Sequence, residues 1–517
     1  MTRAHEGLSR RALLTGGLTL LGLGAMPIRV WPSGGRVRFS GSPFTLGVAS
    51  GDPSPDGVVL WTRLAPDPLE IGGGMPPVAT EVRWEIFSDD RMTRAVQSGR
   101  TTAVPAWAHA VHVEVDGLEP DRWYWYRFHA GDAVSAIGRT RTLPRAGAGV
   151  DRLRFAFCSC QHFETGLFTA YRHMAAEDLD LVFHLGDYIY EGPPAPRVRA
   201  HLGPELMTLE DYRRRYAQYK ADPDLQAAHA AVPWIVTTDD HEVDNNYAGA
   251  ISEQNTPADV FLIRRAAAYR AYYEHMPLRR ASMPQGPWLP LYRRFSYGTL
   301  ASFFVLDTRQ YRTDQPCGGA IAEMCDGARD ADATLLGADQ AQWLIEALDR
   351  SSSRWNVVPQ QVMMAGVDQS PGPAVRRSMD QWPGYEAERD RLLSFFGTRR
   401  PANPVVLTGD IHSNWVNDLR VDPTDERSPV VATEFVGTSI SSGGDGTAIT
   451  ARMKSVLSEN PVVKFYNGQR GYVSCEVTAK DMRAAYRVVE YVSKPGAPLT
   501  TVARFVVRDG RPGAAPA

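Results

Sequence analysis

The stretch LRFAFCSC at residues 153–160 is a mostly apolar run that ends in a polar residue. Similar runs follow along the chain: LDLVFHLGD at 179–187, WIVTTDD at 234–240, ASFFVLDT at 301–308, RWNVVPQQVMM at 354–364 and NPVVLTGD at 403–410. A nearly continuous apolar run is typical of a strand that is covered on both faces. Helical stretches such as 338–348 lie between some of these runs. This alternation predicts an α/β domain, which we place at residues 150–511.

Polar side chains end these apolar runs repeatedly. They are Cys160, Asp187, Asp240, His241, Asp307, Asp410 and His412. A single aspartate in such a place is more often a helix cap. Because open α/β sheets place their sites at the carboxyl ends of strands, the repetition favours a metal site. Carboxylates suit hard ions, whereas a thiolate and imidazoles suit a transition ion, so this mixed set predicts two unlike metals.

Residues 36–146 have a different pattern. Short alternating runs such as VRWEI at 82–86 and VHVEV at 111–115 are separated by Gly, Pro and Asp turns. This pattern predicts a small N-terminal β-sandwich. The segment GLEP at 117–120, followed by WYWY at 123–126, resembles a corner of fibronectin type III-like domains.

The first 31 residues are typical of a twin-arginine signal peptide. Arg10 and Arg11 follow Ser9 and precede an apolar stretch that ends near Pro27 and is too short for a stable membrane span. We therefore expect the bacterial twin-arginine export machinery as a partner and a location outside the cytoplasm. The net charge of −3 provides no basic field, so we expect no stable nucleic-acid complex.

An ordered set of motifs resembles that of the PhoD-type alkaline phosphatases, members of the calcineurin-like metallophosphoesterase superfamily. The set comprises FAFCSCQ at 155–161, GDYIYE at 186–191, DDHEVDNN at 239–246 and TGDIHSNW at 408–415. The resemblance continues through VLDTR at 305–309, WNV at 355–357, DQWPGY at 380–385 and FVGTSISS at 435–442. It implies a four-layer domain, with two mixed sheets flanked by helices, preceded by a small fibronectin-like β-sandwich.

The resemblance assigns four residues to a ferric ion. Asp187 and Tyr190 match a superfamily motif in the variant similar to purple acid phosphatases, with Asp187 bridging two metals and Tyr190 bound to Fe³⁺. Cys160 falls where the superfamily has an aspartate, and His412 completes the set. The alternatives are a core aromatic for Tyr190 and, for Cys160, a structural cysteine or a disulfide with Cys158.

The same resemblance assigns a second site to Ca²⁺. Asp240 and Asp410 are its expected ligands, and Asp380 is a candidate for an additional Ca²⁺ or, alternatively, a surface turn acid. His241 is expected to act as the general acid or hydrogen-bond donor, with Glu242 as its partner. A buried core histidine is the alternative for His241.

Other residues are expected to support the site or the fold. Gln361 is a candidate neighbour of the second metal, and Asp307 is expected to brace a loop together with Arg309, although Arg309, Asn245 and Asn246 could also orient phosphate. Among the cysteines, Cys317 and Cys325 could close a small disulfide, and Cys475 in GYVSCEVTA is expected to be core.

The function that these signals favour is hydrolysis of phosphomonoesters and phosphodiesters by direct attack of a metal-bound hydroxide. The expected partners are small or polymeric phosphoesters, including phospholipids or teichoic acids, and we expect a monomer. One alternative is a phospholipase D-type phosphodiesterase of the same family. Another is an inactive protein that binds a cell-wall polymer, which predicts missing ligands.

Overall fold

The computed structural model describes residues 39–422, 425 and 427–517. The predicted signal peptide at residues 1–31 lies outside these residues. The strands are β1 Val48–Ser54, β2 Gly57–Arg63, β3 Thr80–Phe87, β4 Ala95–Ala103, β5 Ala110–Val115, β6 Trp123–Ala130, β7 Ala133–Val134, β8 Gly138–Arg141, β9 Arg152–Cys158, β10 Leu181–His184, β11 Trp234–Val236, β12 Arg293–Tyr297, β13 Ala301–Val305, β14 Ile321–Glu323, β15 Trp355–Pro359, β16 Arg376–Ser378, β17 Pro404–Thr408, β18 Asn414–Arg420, β19 Val430–Val436, β20 Gly446–Thr447, β21 Val463–Gln469, β22 Gly471–Thr478, β23 Asp481–Val489, β24 Leu499–Arg508 and β25 Arg511–Pro516. The helices are α1 Thr169–Ala175, α2 Leu209–Lys220, α3 Pro223–Ala231, α4 Ala258–His275, α5 Asp326–Arg329, α6 Gly337–Asp349, α7 Glu386–Arg399 and α8 Ala451–Ser458.

Two large mixed sheets form the centre of the described chain. The first has the order β25-β24-β23-β22-β9-β10-β11-β1-β2-β5, and the second has the order β12-β13-β15-β17-β19-β18-β21-β20. Strands β9, β10 and β11 are parallel to one another, as are β13, β15, β17 and β19. The remaining strands are mostly antiparallel, which confirms the predicted α/β class with mixed sheets.

The sheets and helices enclose three apolar cores. Phe155 and Phe183 of the first sheet pack against Phe303 of the second, and the rings of Phe155 and Phe303 have centroids 5.5 Å apart. Helices α1 to α4 cover the other face of the first sheet through residues such as Tyr171. Helices α6 and α7 cover the second sheet through residues such as Leu344. Because the central strands are covered on both faces, their sequences are continuous apolar runs.

The N-terminal strands form a β-sandwich that shares strands with the first large sheet. Strands β3, β4, β6, β7 and β8 make a separate five-stranded sheet. Its inner face packs against β1, β2 and β5, where Val58, Val82, Val113 and Tyr126 belong to one buried cluster. Since β1 pairs with β11, half of the sandwich continues the large sheet. No sequence pattern predicted this pairing.

The parallel strands of the two sheets end close together. An isolated bridge joins Ser159, after β9, to Ser439, after β19. Gly409 follows β17, and a Cβ atom there would lie only 2.6 Å from Ser159 Oγ. Glycine at this position therefore permits the close approach of the two sheet edges.

The cysteines follow the sequence expectations. Cys317 and Cys325 form a disulfide, which confirms that pairing. Cys158, Cys160 and Cys475 are free and buried, so no disulfide joins Cys158 to Cys160. None of the helices in the described residues combines the length and hydrophobicity that a bilayer span requires.

Candidate metal centre

Sharp turns after the strands place polar side chains at the edge where the two large sheets meet. Cys160, Asp187, Asp410 and His412 have φ angles of 59°, 55°, 62° and 54°, all in the left-handed region. Non-glycine residues are uncommon there and tend to occur where the surrounding structure holds a functional site. The turns therefore bring residues from β9, β10 and β17 toward one point.

The first group of donors contains all four residues expected to bind iron. The ligand atoms of Cys160, Asp187 and His412 lie within 4.8 Å of one another. The Tyr190 hydroxyl donates to Asp187 Oδ2 at 2.9 Å, lies 3.2 Å from His412 Nε2 and accepts from Ser442 Oγ at 2.7 Å. The structure thus brings these four together, and Ser442 is a contact that the sequence did not predict.

The electrostatics of this first group favour a cation. Burial raises the pKa of the Cys160 thiol and of the Tyr190 hydroxyl, and nearby carboxylates raise both pKa values further. Burial and the Asp240 charge likewise raise the pKa of Asp187, whose Oδ1 atom is buried without a hydrogen-bond partner. Burial lowers the pKa of His412 to about 3, so its imidazole is neutral. Thiol, phenol, carboxylate and neutral imidazole fit a strongly polarising metal ion.

The second group overlaps the first at Asp187. Ligand atoms of Asp187, Asp240 and His241 lie within 4.8 Å of one another. Asp240 Oδ2 accepts the backbone N–H of Asn246 at 2.7 Å, and Asp410 Oδ2 accepts from Gln381 Nε2 at 3.0 Å. Oxygen-rich donors of this kind suit a hard divalent ion.

Arg309 is buried among the carboxylates of the second group. Its Nε donates to Asp239 Oδ1 at 2.6 Å, and its Nη1 donates to Asp380 Oδ1 at 2.8 Å. Its Nη2 lies 3.7 Å from Asp240 Oδ2 and 3.5 Å from Asp410 Oδ1. Burial alone would raise the pKa of Asp240, but Arg309 and His241 lower it. The guanidinium is therefore an internal counter-ion for this group.

Arg309 and Asp307 do not form the expected pair between their side chains. Asp307 accepts the backbone N–H of Arg309 at 3.0 Å, while the guanidinium binds the acids instead. Asp380 Oδ1 accepts from Arg309, from Arg312 at 2.7 Å and from Gln315 at 2.9 Å. Asp380 thus anchors two arginines, and its binding of an additional Ca²⁺ stays a prediction.

His241 pairs with Glu191 and not with Glu242, so the expected partner was wrong. His241 Nδ1 lies 2.7 Å from Glu191 Oε2. The Glu242 carboxylate instead accepts the backbone N–H groups of Asp187, Tyr188 and Asp239, at 3.1, 2.6 and 2.8 Å. Burial opposes a charged imidazole, but Glu191 and the aspartates raise the pKa of His241. These charges favour the protonated form of His241, in which the ring donates hydrogen bonds.

The structure also shows what Gln361 and Asn245 contact. Gln361 donates to Thr237 Oγ1 and to the carbonyl of Leu306, both at 2.9 Å, so its amide braces the core. The backbone N–H of Asn245 donates to Glu191 Oε1 at 2.8 Å and thereby helps to fix the partner of His241. A phosphate-orienting role for its side chain stays a prediction.

A third cluster contains His162, Glu164 and His201, whose ligand atoms also lie within 4.8 Å of one another. Arg215 Nη1 lies 3.0 Å from His201 Nδ1, so a cationic side chain already occupies this cluster. Burial, together with the charges of His241, Arg215 and Arg197, lowers the pKa of His162 to about 4. The sequence did not single out this histidine, although it lies two residues after Cys160.

A thiol, a phenol, imidazoles and carboxylates at the joined edges of two mixed sheets fit the metal centre of a metal-dependent hydrolase. The family model described as PhoD-like phosphatase matches residues 155–486, and the PhoD-like phosphatase N-terminal domain model matches residues 31–144. Alkaline phosphatase D of Bacillus subtilis (strain 168) is 50% identical over 515 residues, which are 98% of this chain and 87% of that protein.

A solved structure of PhoD has a TM-score of 0.91 at 51% identity and covers 93% of each chain. With the family models and the curated relative, this match places the fold and the site in one family. The chain therefore belongs to the PhoD-like phosphatase family and is a phosphoester hydrolase.

Proposed function

We propose that this chain is an exported alkaline phosphatase that hydrolyses phosphomonoesters and phosphodiesters at a two-metal centre. The observation that carries this proposal is that Asp187 belongs to both donor groups. One carboxylate shared by two groups is the arrangement in which two metal ions act on one phosphate.

The proposed metals are Fe³⁺ in the first group and Ca²⁺ in the second. The Cys160 thiol and the Tyr190 hydroxyl support a trivalent ion, because their raised pKa values require strong polarisation for deprotonation. Asp240 and Asp410 offer oxygen donors for Ca²⁺, and Asp380 would serve any additional Ca²⁺. When bound, such metals would activate water for direct attack on phosphorus and stabilise the developing negative charge.

The protein side chains have separate proposed tasks. His241, held by Glu191 at 2.7 Å, donates a hydrogen bond or proton to the leaving oxygen. Arg309 holds Asp239 and Asp380 in place and keeps positive charge beside the second group. We propose that the attack on phosphorus is direct, without a covalent phospho-enzyme.

The finer architecture and the location are also proposals. The three apolar cores support four layers in residues 150–511, and the separate five-stranded sheet supports a fibronectin-like sandwich in residues 36–146. The Arg10-Arg11 pair supports twin-arginine export of a monomer to a site outside the cytoplasm.

The test is hydrolysis by the purified, metal-loaded enzyme before and after chelation. We expect chelator-sensitive release of p-nitrophenol from p-nitrophenyl phosphate and from its bis-ester. Release of choline from a choline phospholipid as the dominant activity would favour a phospholipase D-type enzyme. Binding of teichoic acid without turnover of any phosphoester would overturn the proposal in favour of a polymer-binding protein.

A further inference from the structure

His162 lies beside the metal centre with one free nitrogen. Its ring centroid is 4.3 Å from that of Tyr190. Its Nδ1 accepts the backbone N–H of Glu164 at 3.2 Å, which places the proton of the neutral ring on Nε2. Within the described residues, Nε2 has no hydrogen-bond partner, so it remains free to donate to a ligand.

The loop that carries Arg197 is fixed to the same segment. The Glu164 carboxylate accepts the backbone N–H groups of Ala195 and His201, each at 2.9 Å. The Glu164 carbonyl accepts the N–H of Val198 at 2.8 Å. Because Arg197 directly precedes Val198 and Glu164 lies two residues from His162, these bonds bring the two segments together, and, in addition to burial, the charge of Arg197 is close enough to lower the pKa of His162.

The charge of Arg197 is not neutralised by the neighbouring acids. Arg197 is exposed and has no ion pair within the part of the chain that the structure describes. Three acids on the packed segments bind other partners. Asp222 binds Arg199 at 2.7 Å, Glu164 binds backbone N–H groups, and Glu191 binds His241. A cation without an ion pair beside a site for an anionic substrate can attract a further negatively charged group.

We propose that His162 and Arg197 form a second anion subsite beside the metal centre. It binds a further negatively charged group on the organic part of the substrate. The preferred substrates are then phosphoesters that carry another phosphate, a phosphodiester or a carboxylate near the scissile ester. This inference rests on the proposed function and names the substrate class of that site.

The test compares propyl phosphate with the bisphosphate of propanediol, measured as phosphate release by the metal-loaded enzyme. We expect the wild type to prefer the bisphosphate and to lose that preference as ionic strength rises. Arg197→Glu should lower kcat/KM for the bisphosphate about fivefold or more and change that for propyl phosphate less than twofold. Arg91→Glu, on an exposed turn, is the matched control and should change neither.

A second pair of variants tests the N–H group of His162 as a hydrogen-bond donor. His162→Phe keeps a ring against Tyr190 but removes the N–H, so it should reduce the bisphosphate preference while leaving metal content unchanged. His162→Gln retains an N–H donor and should restore part of the preference. Equal effects of Arg197→Glu on both substrates, or no effect on either, would overturn the subsite. If the wild type hydrolysed neither substrate, the proposed function would fail, and this inference with it.

Discussion

The two halves of the metal centre balance their charges in different ways. In the half made of Cys160, Tyr190 and His412, the Tyr190 hydroxyl contacts His412 and the Cys160 thiol bonds to Ser159. The arginines beside this half, Arg215 and Arg470, donate to the backbone carbonyls of Tyr190 and His412 and not to the metal-donor atoms. In the half made of Asp240 and Asp410, Arg309 is buried among the acids. The second half therefore has a built-in cation, whereas the first half must hold protons until a metal replaces them.

Loss of the shared carboxylate should have the largest effect, because it breaks both halves. Asp187→Asn removes the one carboxylate that belongs to both donor groups. We expect kcat/KM for p-nitrophenyl phosphate to fall on the order of 10³-fold and both metals to decrease in elemental analysis. Asp90→Asn, on an exposed turn, is the control. Loss of only one metal would mean that Asp187 does not bridge the halves.

Removal of the built-in cation should destabilise the metal-free protein. Arg309→Met leaves Asp239 and Asp380 buried without that partner, which typically costs about 3 to 5 kcal/mol in the free energy of unfolding. Tyr190→Phe, in the half whose arginines bind only backbone carbonyls, should cost about 1 kcal/mol. Denaturant unfolding of both chelated variants measures the difference. Equal losses would contradict the asymmetry between the halves.

The Asp410 carboxyl should contribute less to the stability of the chelated protein as pH rises from about 4 to 6, measured as wild type minus Asp410→Asn. Burial raises the pKa of Asp410 from 3.8 to about 6, although Arg309 opposes this shift. The folded state then binds more protons than the unfolded state, so stability is lost as pH rises through the folded pKa. For Asp410 alone the loss is about 3 kcal/mol. Thermal unfolding should show a larger gain from added metal at pH 7.5 than at pH 5, and an equal gain would contradict this account.

A smaller effect should follow loss of the Glu191 charge. Glu191 raises the pKa of His241 and keeps the proton-donating form present at higher pH. Glu191→Gln should therefore shift the basic limb of the kcat/KM profile to lower pH. Glu253→Gln, an exposed acid on the neighbouring loop, should leave the profile unchanged. A shift in both variants would point to a general change in surface charge.

The sequence predicted the donors better than their partners. An apolar run followed by Asp187 or Asp410 is a local pattern, so it could be read directly from the chain. Glu191 was missed because its approach to His241 depends on the left-handed turn at Asp187 and on the path of a second loop. The contacts of Arg309 join three distant segments, and only the folded chain brings them together.

The fold, too, was predicted only where its signal is local in sequence. The strand runs between residues 153 and 410 predicted the α/β class, and the resemblance to PhoD-type enzymes implied the two mixed sheets. The pairing of Gly51 in β1 with Trp234 in β11 joins regions far apart in sequence, and no local pattern encodes it. Local periodicity therefore predicted the class of the fold but not the continuity of the N-terminal strands with the large sheet.

The most direct test of the asymmetric centre is elemental analysis with a visible absorption spectrum, measured on the purified enzyme. The account predicts stoichiometric iron together with calcium, and a tyrosinate-to-iron charge-transfer band that Tyr190→Phe abolishes. Tyr188→Phe, whose hydroxyl contacts His229 at 2.8 Å, should retain the band. Zinc alone, with no such band in the wild type, would contradict the assignment of unlike metals to the two halves.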